Sequence, residues 1–197
     1  MTDEIPEAEP FAPFARWFAL ASTSEPLAET MTLATATRDG LPSVRAVLLK
    51  GIDQRGFVFY TNFDSRKAEE LLANPHAALC FHWKSLQRQV RIEGSVAVVS
   101  DADADAYFHS RPRDSRIGAW ASEQSRPVAD RIELERRFAD FSRQFAEQQQ
   151  IPRPAYWSGF RVAPERIEYW QERPFRLHDR VLFTRDGERW RKQRLFP

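Results

Sequence analysis

The chain has little of several features that would assign it to a functional class directly. Its 197 residues include one cysteine, Cys80, which has no partner for an internal disulfide and lies in the apolar run AALCF. We interpret Cys80 as a small buried side chain, and its lack of a partner fits a reducing compartment. No apolar run approaches the roughly 20 residues that span a bilayer, and the acidic start MTDEIPEAEP lacks the basic and apolar regions of a signal peptide. These absences predict a cytoplasmic protein without a membrane partner.

Net charge and ligand-binding motifs are also sparse. Lys and Arg number 29 and Asp and Glu 28, whereas a nucleic-acid-binding protein usually has a large basic excess, so we expect no nucleic-acid partner. The chain has no GxGxxG motif, no Gly-rich GK[ST] loop and no GxSxG elbow. Its four histidines are not part of HExxH or CxxC patterns, so we expect no metal site. Any phosphate must therefore be held by side chains and by the start of a helix.

Apolar residues are plentiful and indicate a core. The hydrophobic share is 42%, with 15 Phe and 6 Trp. Phe11, Phe14, Trp17 and Phe18 recur at near-helical spacing, which predicts a short amphipathic helix packed in the core. We expect a flexible N-terminal segment over residues 1–10 and a single domain over residues 11–197.

The remaining pattern is dominated by strands. Predicted strands lie at residues 31–37, 43–51, 57–61, 76–83, 87–99, 158–162, 167–171, 181–184 and 190–195. Predicted helices begin at Asp64 or Ser65, at Ser100, at Pro112 and at Pro127, and the last carries Leu134, Phe138, Phe141 and Phe145 on one face. Because strands and helices do not alternate regularly, a mainly β barrel with peripheral helices is favoured over a doubly wound parallel sheet.

The stretch from Ser43 to Lys67 concentrates groups that bind phosphate. Arg45 and Lys50 lie on one predicted strand, and Tyr60 and Thr61 end the next. Ser65, Arg66 and Lys67 open a helix, where unpaired amide groups and the helix dipole favour an anion. The alternative is a solvated, charged helix start beside an ordinary strand arginine.

Two further groups of residues are candidates for a site. Tyr107, Arg111 and Ser115 are spaced by four, and Pro112 places Arg111 at a helix junction and Ser115 in the first turn of the next helix. These three side chains could bind a second phosphate. The alternative is that Tyr107 packs in the core and Arg111 is an ordinary surface arginine. In the third group, Arg176, His178 and Arg180 share a face if the run is extended, near Trp170; the alternative is a surface salt-bridge cluster with Asp179.

Seven ordered segments, taken together, resemble the pyridoxamine 5'-phosphate oxidase family. They are RAVLLK at 45–50, FYTNFDSRKA at 59–68, QRQVRIEG at 87–94, YFHSRPRDSRIGAWAS at 107–122, EQS at 123–125, IEYWQ at 167–171 and RLHDR at 176–180. The resemblance extends over residues 31–197, and YFHSRPRDS and RLHDR are its most specific parts. The chain departs from the family pattern at ERPF, residues 172–175, and at Phe196.

The resemblance implies an antiparallel split β-barrel that is a homodimer with FMN at its interface. It implies oxidation of pyridoxine or pyridoxamine 5'-phosphate to pyridoxal 5'-phosphate by hydride transfer from substrate C4' to flavin N5, with dioxygen reduced to hydrogen peroxide. The implied FMN contacts are Arg45, Ala46, Val47, Leu48, Leu49, Lys50, Tyr60, Thr61, Arg66, Lys67, Gln89, Gln124, Ser125, Trp170 and Arg180, some from the second subunit. The implied substrate contacts are Lys50, Tyr107, Arg111, Ser115, Arg176 and His178, and the last two are the implied catalytic residues. The alternatives are an oxidase of the same fold acting on another substrate, as in phenazine synthesis, and a non-catalytic flavin- or tetrapyrrole-binding barrel.

Overall fold

The computed structural model describes residues 5–197, which form an antiparallel sheet with helices around it. The strands are β1 Thr30–Ala36, β2 Pro42–Leu48, β3 Gly51–Asp53, β4 Gly56–Asn62, β5 His76–Trp83, β6 Arg88–Val98, β7 Trp157–Gln171, β8 Asp179–Asp186 and β9 Arg189–Leu195. The helices are α1 Phe11–Ser24, α2 Arg66–Ala73, α3 Asp101–Ser110, α4 Arg113–Ala121 and α5 Arg131–Gln144. The predicted architecture, mainly β and antiparallel with peripheral helices, is confirmed.

Strand β7 is the element on which the sheet branches. The order is β2-β1-β5-β6-β7-β4-β3, and β8 pairs with β7 and β9 with β8. β6 occupies one edge of β7, whereas β4 and β8 share its other edge, at residues 157–162 and 166–171 respectively. Glu165 is skipped in the register with β6, and this bulge bends β7 between the two halves. Two branches of the sheet, β4-β3 and β8-β9, therefore start from the same edge of β7.

The prediction of two strands at 158–162 and 167–171 is wrong, because they are the two halves of β7. Pro164 and the polar residues after it resemble a turn in the sequence, but the bulge absorbs them without ending the strand. Gly94 on β6 makes this possible: a Cβ there would lie 2.0 Å from the carbonyl oxygen of Ala163. The close approach of the two backbones thus requires glycine at this position.

The strand predicted at 43–51 is also divided in the structure. Residues 42–48 pair with β1, and only Gly51–Asp53 forms a hairpin with β4. The chain changes its pairing partner between Leu49 and Lys50. The amide of Leu49 donates to the carbonyl of Glu29, and the amide of Lys50 donates to the carbonyl of Val58. The chain therefore passes from one side of the barrel to the other just where the predicted ligand contacts lie.

The helices follow their capping residues. Ser100 caps α3 by accepting from the amide of Asp103 at 3.1 Å, as predicted. α5 begins at Arg131 rather than at Pro127, because Asp130 accepts from the amide of Glu133 and so fixes the N-terminus. Pro112 is the N-cap residue of α4 and not part of its first turn.

Helix α1 fills the concave side of the sheet. Phe14 is fully buried, and its ring lies 5.0 Å from that of Phe57 and 5.2 Å from that of Phe81. Trp17 packs edge-on against Tyr169 on β7, with ring centroids 5.2 Å apart. The predicted amphipathic helix is therefore confirmed, and it joins β4, β5 and β7 in one core. Cys80 is only half-buried, contrary to the prediction.

Residues 5–10 lie against the sheet. Ile5 is buried, Lys192 donates to the carbonyl groups of Ile5 and Glu7, and the Tyr169 hydroxyl donates to that of Pro10. Residues 1–4 of the predicted flexible segment lie outside the described residues, and the division into a flexible segment and one domain stays a prediction. Among residues 5–197, no helix has the length and apolar character needed to cross a membrane.

Candidate active site

A cavity of about 490 Å³ opens between β2, β4 and the helices α3 and α4. This volume lies in the range of small-molecule sites. Eleven of the predicted contact residues line it: Ala46, Val47, Leu48, Lys50, Tyr60, Thr61, Lys67, Tyr107, Arg111, Ser115 and Gln124. Three of these carry a positive charge, and among the described residues no Asp or Glu lines the cavity. The cavity is thus built for an anionic ligand.

Lys67 supplies the charge at the end of the cavity next to α2. Its ammonium donates to Gln124 Oε1 at 2.6 Å, to Thr61 Oγ1 at 3.0 Å and to Ser65 Oγ at 3.1 Å, all of them neutral acceptors. Burial, together with the charge of Arg45, lowers the pKa of Lys67 from 10.5 to about 8. A phosphate here would supply the countercharge that these neutral groups do not.

The N-terminus of α2 adjoins Lys67. Ser65 is its N-cap residue and makes no side-chain cap hydrogen bond, because its hydroxyl donates to the carbonyl of Asn62. The amide of Arg66 donates to Ser125 Oγ at 3.3 Å, which links the helix start to the loop after α4. Ser65, Arg66, Lys67, Gln124 and Ser125 therefore lie close together within one chain.

Arg111 supplies a second cationic group to the cavity, with neighbours different from those of Lys67. It lies at the junction of α3 and α4, as predicted, and its guanidinium carbon is 4.8 Å from the centre of the Trp157 ring. Its Nη1 atom is buried without a hydrogen-bond partner, and burial lowers its pKa. Tyr107, Ser115 and Lys50 line the same cavity, and a carboxylate oxygen of Glu29 lies 3.9 Å from the Lys50 ammonium. An unpaired buried guanidinium nitrogen is costly, so this end also calls for an anion.

Three aromatic rings line the cavity beside Arg111. Tyr60 stacks on Tyr107 with ring centroids 4.1 Å apart and on Trp157 at 5.4 Å. The interplanar angles are 17° and 5°, so the three rings are nearly parallel. Burial raises the pKa of both tyrosine hydroxyls, which therefore stay protonated as donors.

Two predicted cofactor contacts on or after β2 do not line the cavity. Arg45 points into the space between the sheet and α2, where it bonds to Thr35, Ser43 and Glu70. Leu49 is buried in the core. Their side chains are thus used for structure in this chain, and a direct role in binding a ligand stays a prediction.

The other predicted residues lie at the far end of β7. Gln89, Trp170 and Arg180 are register partners across β6, β7 and β8 and so form one row. The His178 ring lies 4.6 Å from that of Trp170. β7 bends at its bulge between Trp157 and Trp170, and the lining of the cavity includes neither this row nor His178 of the same chain.

The segment before β8 is not extended. Phe175 and Arg176 have φ angles of 61° and 63° inside a short 3-10 turn at Pro174–Arg176. The extended run on which the shared face of Arg176, His178 and Arg180 depends is therefore absent at Arg176. Asp179 pairs with Arg173 at 2.6 Å, so the salt-bridge alternative describes part of this segment.

Five residues that line the cavity were missed from the sequence: Asn62, Gly118, Ala119, Ser122 and Trp157. Three of them follow Ser115 by three, four and seven positions and lie on its face of the helix, so helical periodicity could have found them. Trp157 carries no such signal, because only the fold places the start of β7 beside Arg111.

Two family profiles match the chain. One, described as pyridoxamine 5'-phosphate oxidase, matches residues 24–145, and the other, described as the pyridoxine 5'-phosphate oxidase C-terminal dimerisation region, matches residues 157–197. The chain belongs to the pyridoxamine 5'-phosphate oxidase family. Membership of this family confirms the predicted split barrel, the FMN cofactor and the assignment to FMN-dependent oxidoreductases, and the dimerisation region supports the predicted homodimer.

Individual relatives agree with this assignment. A pyridoxine/pyridoxamine 5'-phosphate oxidase of Rhodospirillum rubrum is 59% identical over 98% of this chain and 98% of its own length, and one of Gluconobacter oxydans is 61% identical over 97% and 96%. Among solved structures, PhzG from Burkholderia lata 383 in complex with tetrahydrophenazine-1-carboxylic acid is 31% identical, with a TM-score of 0.91 over 98% of this chain and 95% of that one. An FMN-binding, oxidase-related protein from Nostoc punctiforme shares the fold, with 16% identity and a TM-score of 0.76 over 97% of this chain and 100% of that one.

The residues of the cavity fit FMN. The flavin carries a phosphate, and Lys67 has neutral partners and a lowered pKa at the open N-terminus of α2. A second anion is still required at Arg111, whose Nη1 has no partner. The charges of the cavity are therefore compatible with a flavin phosphate at Lys67 and with another anion at Arg111.

Proposed function

We propose that the protein oxidises pyridoxamine 5'-phosphate and pyridoxine 5'-phosphate to pyridoxal 5'-phosphate, with dioxygen reduced to hydrogen peroxide, in vitamin B6 synthesis and salvage in the cytoplasm. One observation carries the proposal: the cavity has two cationic groups with different neighbours, Lys67 and Arg111, and its described lining has no carboxylate. A reaction between a phosphorylated cofactor and a phosphorylated substrate requires this pattern. Names of relatives that are 59% and 61% identical support the same reaction.

The substrate phosphate would bind at the Arg111 end. Arg111 Nη1 would gain the partner that it lacks, and Lys50, Tyr107 and Ser115 would add one ammonium and two hydroxyl donors. The phosphate takes no part in the oxidation, so its binding energy would serve to orient the ring at the reacting carbon. The stacked rings of Tyr60 and Trp157 would keep Arg111 in place.

The flavin phosphate would bind at the Lys67 end, with Arg66, Gln124 and Ser125 around it. When bound, FMN supplies a two-electron acceptor for the substrate carbon C4' and a route for those electrons to dioxygen. With the amine substrate, the balance also requires water and releases ammonia. The protein's own task is therefore to bind the cofactor and the substrate and to orient them.

A second copy of the chain would complete the site. Gln89, Trp170 and Arg180 lie at the opposite end of β7 from the cavity, so they reach an FMN only in the partner subunit. A two-fold axis would bring each far end over the other cavity, so that both sites form together. The match of residues 157–197 to a dimerisation region supports this arrangement.

Arg176 and His178 would cover the substrate from that partner. Arg176 is exposed and permanently charged, so we assign to it an electrostatic and orienting role rather than proton abstraction. The amide of Arg173 donates to His178 Nδ1 at 3.2 Å, so a neutral His178 carries its proton on Nε2. Nε2–H would then donate to the oxygen or to the unprotonated amine nitrogen of the substrate.

The test is to incubate the purified protein with FMN and pyridoxamine 5'-phosphate in air. We expect pyridoxal 5'-phosphate, ammonia and hydrogen peroxide in equal amounts. Arg176→Ala should reduce turnover while FMN stays bound. A protein that binds FMN but forms no pyridoxal 5'-phosphate would refute the function, and release of FMN by Arg176→Ala would refute the division of roles.

The similarity to PhzG keeps one alternative, an oxidase acting on a phenazine precursor. That ligand has a carboxylate rather than a phosphate, so it makes less use of the four donors at the Arg111 end. The same assay with tetrahydrophenazine-1-carboxylic acid decides between them. We expect the phosphorylated substrate to have the higher kcat/KM, and a preference for the phenazine precursor would favour the alternative.

A further inference from the structure

Glu70 on α2 connects the sheet to the start of the helix. It is 5% exposed, and its two carboxylate oxygens have different partners. Oε2 accepts hydrogen bonds from Thr35 on β1, from Ser43 on β2 at 2.5 Å and from Arg45 Nη2 at 3.3 Å. Oε1 accepts from Arg66 Nε at 2.8 Å. One oxygen is thus fixed to the sheet, and the other is presented to Arg66.

The carboxylate is held as an anion. Burial alone raises the pKa of Glu70, but hydrogen bonds from Ser43, Thr35 and Arg66 outweigh it and bring the pKa to about 2. The negative charge is therefore present at every pH at which the protein would work. Arg45 neutralises part of it from the sheet side.

The guanidinium of Arg66 is bound through its Nε group only. Its side chain is 64% exposed, and within residues 5–197 its Nε bond to Glu70 is the one side-chain contact that the structure gives it. Its amide donates to Ser125 Oγ, so the residue lies at the open N-terminus of α2, one position before Lys67. A guanidinium bound through Nε has its two Nη groups directed away from the anchor, ready for a bidentate phosphate contact.

We propose that Glu70 is a positioning residue for the cofactor phosphate: it fixes the Arg66 fork so that its Nη groups face a phosphate at the start of α2. The inference rests on the proposed FMN site. Glu70 itself does not touch the ligand, and it acts through Arg66. Without the anchor, Arg66 is an exposed side chain that must be ordered when the phosphate binds, at a cost in affinity.

The direction in which FMN affinity changes when Glu70 loses its charge distinguishes a positioning role from simple charge repulsion. A carboxylate near a phosphate repels it, so removal of the Glu70 charge should strengthen FMN binding if only Coulomb forces act. Positioning predicts the opposite result. A purely structural role predicts a third result, in which flavins with and without a phosphate lose affinity equally.

The experiment compares FMN with riboflavin, which lacks the phosphate, by quenching of flavin fluorescence on the apoprotein. For Glu70→Gln we expect FMN affinity to fall about tenfold and riboflavin affinity to stay unchanged. The matched control is Glu69→Gln, which removes the same charge one position away, where the side chain is 55% exposed and pairs with Arg126. We expect this control to bind both flavins like the wild type.

Two further variants test whether the effect passes through Arg66. In an Arg66→Met background, Glu70→Gln should cause no additional loss, because the group that it positions is gone. Arg66→Lys keeps the charge at an exposed position but removes the fork, so it should weaken FMN and spare riboflavin. If Glu70→Gln does not fold, this second variant can still overturn the inference, because Glu70 can act only through an Arg66 fork that binds the phosphate.

Each outcome has one meaning. Tighter FMN binding by Glu70→Gln, or equal loss of both flavins in a folded variant, would overturn the inference, as would wild-type FMN binding by Arg66→Lys. Equal effects of Glu69→Gln and Glu70→Gln would also overturn it. A wild-type protein that does not prefer FMN to riboflavin would instead refute the flavin phosphate site, and the role of Glu70 with it.

Discussion

The lowered pKa of Lys67 makes the affinity for FMN dependent on pH. Its ammonium lies among Thr61, Ser65 and Gln124, and burial with the nearby Arg45 charge brings its pKa from 10.5 to about 8. At about 1.4 kcal/mol per pH unit, this shift means that the free protein disfavours the charged form by about 3 kcal/mol. A bound phosphate offsets that cost, so we expect the pKa to rise when FMN binds.

Proton linkage gives the direction and the size of this pH dependence of FMN affinity. The pKa is higher in the complex, so the affinity is fully present below pH 8 and is lost as the pH rises from about 8 toward the pKa of the complex. If binding restores the ordinary value of 10.5, the dissociation constant of FMN should be about tenfold larger at pH 9 than at pH 7. The phosphate ester, with a second pKa of about 6, does not titrate in this window.

The assay is a fluorescence titration of the apoprotein with FMN at several pH values between 7 and 9. Riboflavin is the control ligand, and Lys67→Met, which removes the charge but keeps the volume, is the control protein. We expect the variant to bind FMN more weakly at pH 7 and to show no change with pH. An FMN affinity that is constant in the wild type, or that falls equally in Lys67→Met, would show that Lys67 does not contact the phosphate.

Three other predictions concern the substrate end and stability. Arg111→Ala should raise the KM for pyridoxamine 5'-phosphate at least tenfold while FMN stays bound, because Nη1 is the unpaired donor of that end; an unchanged KM would remove Arg111 from the phosphate contacts. Lys67→Met should stabilise the apoprotein by about 1–2 kcal/mol at pH 7, a gain that thermal unfolding should show shrinking above pH 8. Gly94→Ala should lower the free energy of unfolding by about 2 kcal/mol or more, since its Cβ would lie 2.0 Å from a backbone oxygen. Gly118→Ala, with no atom within 4 Å, is the matched control in urea unfolding and should be neutral or stabilising.

Local patterns predicted most of the elements because local bonds decide them. Ser100 caps α3 through Asp103, three positions away, and the Phe11–Phe18 spacing gives the buried face of α1 directly. The errors occur where a distant strand decides. β7 continues through Pro164 because Gly94, some 70 positions earlier in the chain, lets the two backbones approach. No window of sequence around Pro164 contains that information.

The site shows the same division. Lys67 and Arg111 could be predicted because each lies in a contiguous sequence motif that contains other polar and charged residues. The Arg111–Trp157 contact at 4.8 Å could not, since 46 positions separate the two residues and the fold alone brings them together. The role of Glu70 was hidden for another reason: in the sequence it is one acidic residue on a charged helix, and only the Thr35 and Ser43 contacts reveal a buried anchor.

The cavity is costly to maintain in the free protein, and that cost is itself an argument for an anionic ligand. Lys67 has no carboxylate partner within the described residues, and Arg111 keeps a buried nitrogen without an acceptor. By contrast, Arg153 pairs with both Asp101 and Asp105, although Arg116 Nε and Arg173 Nη2 are also buried without a hydrogen-bond partner. The free protein does not compensate the cost of burying these two cations. An anion that binds them should therefore stabilise the folded protein. We therefore expect FMN and the substrate phosphate each to raise the melting temperature, and expect inorganic phosphate alone to reproduce part of both shifts.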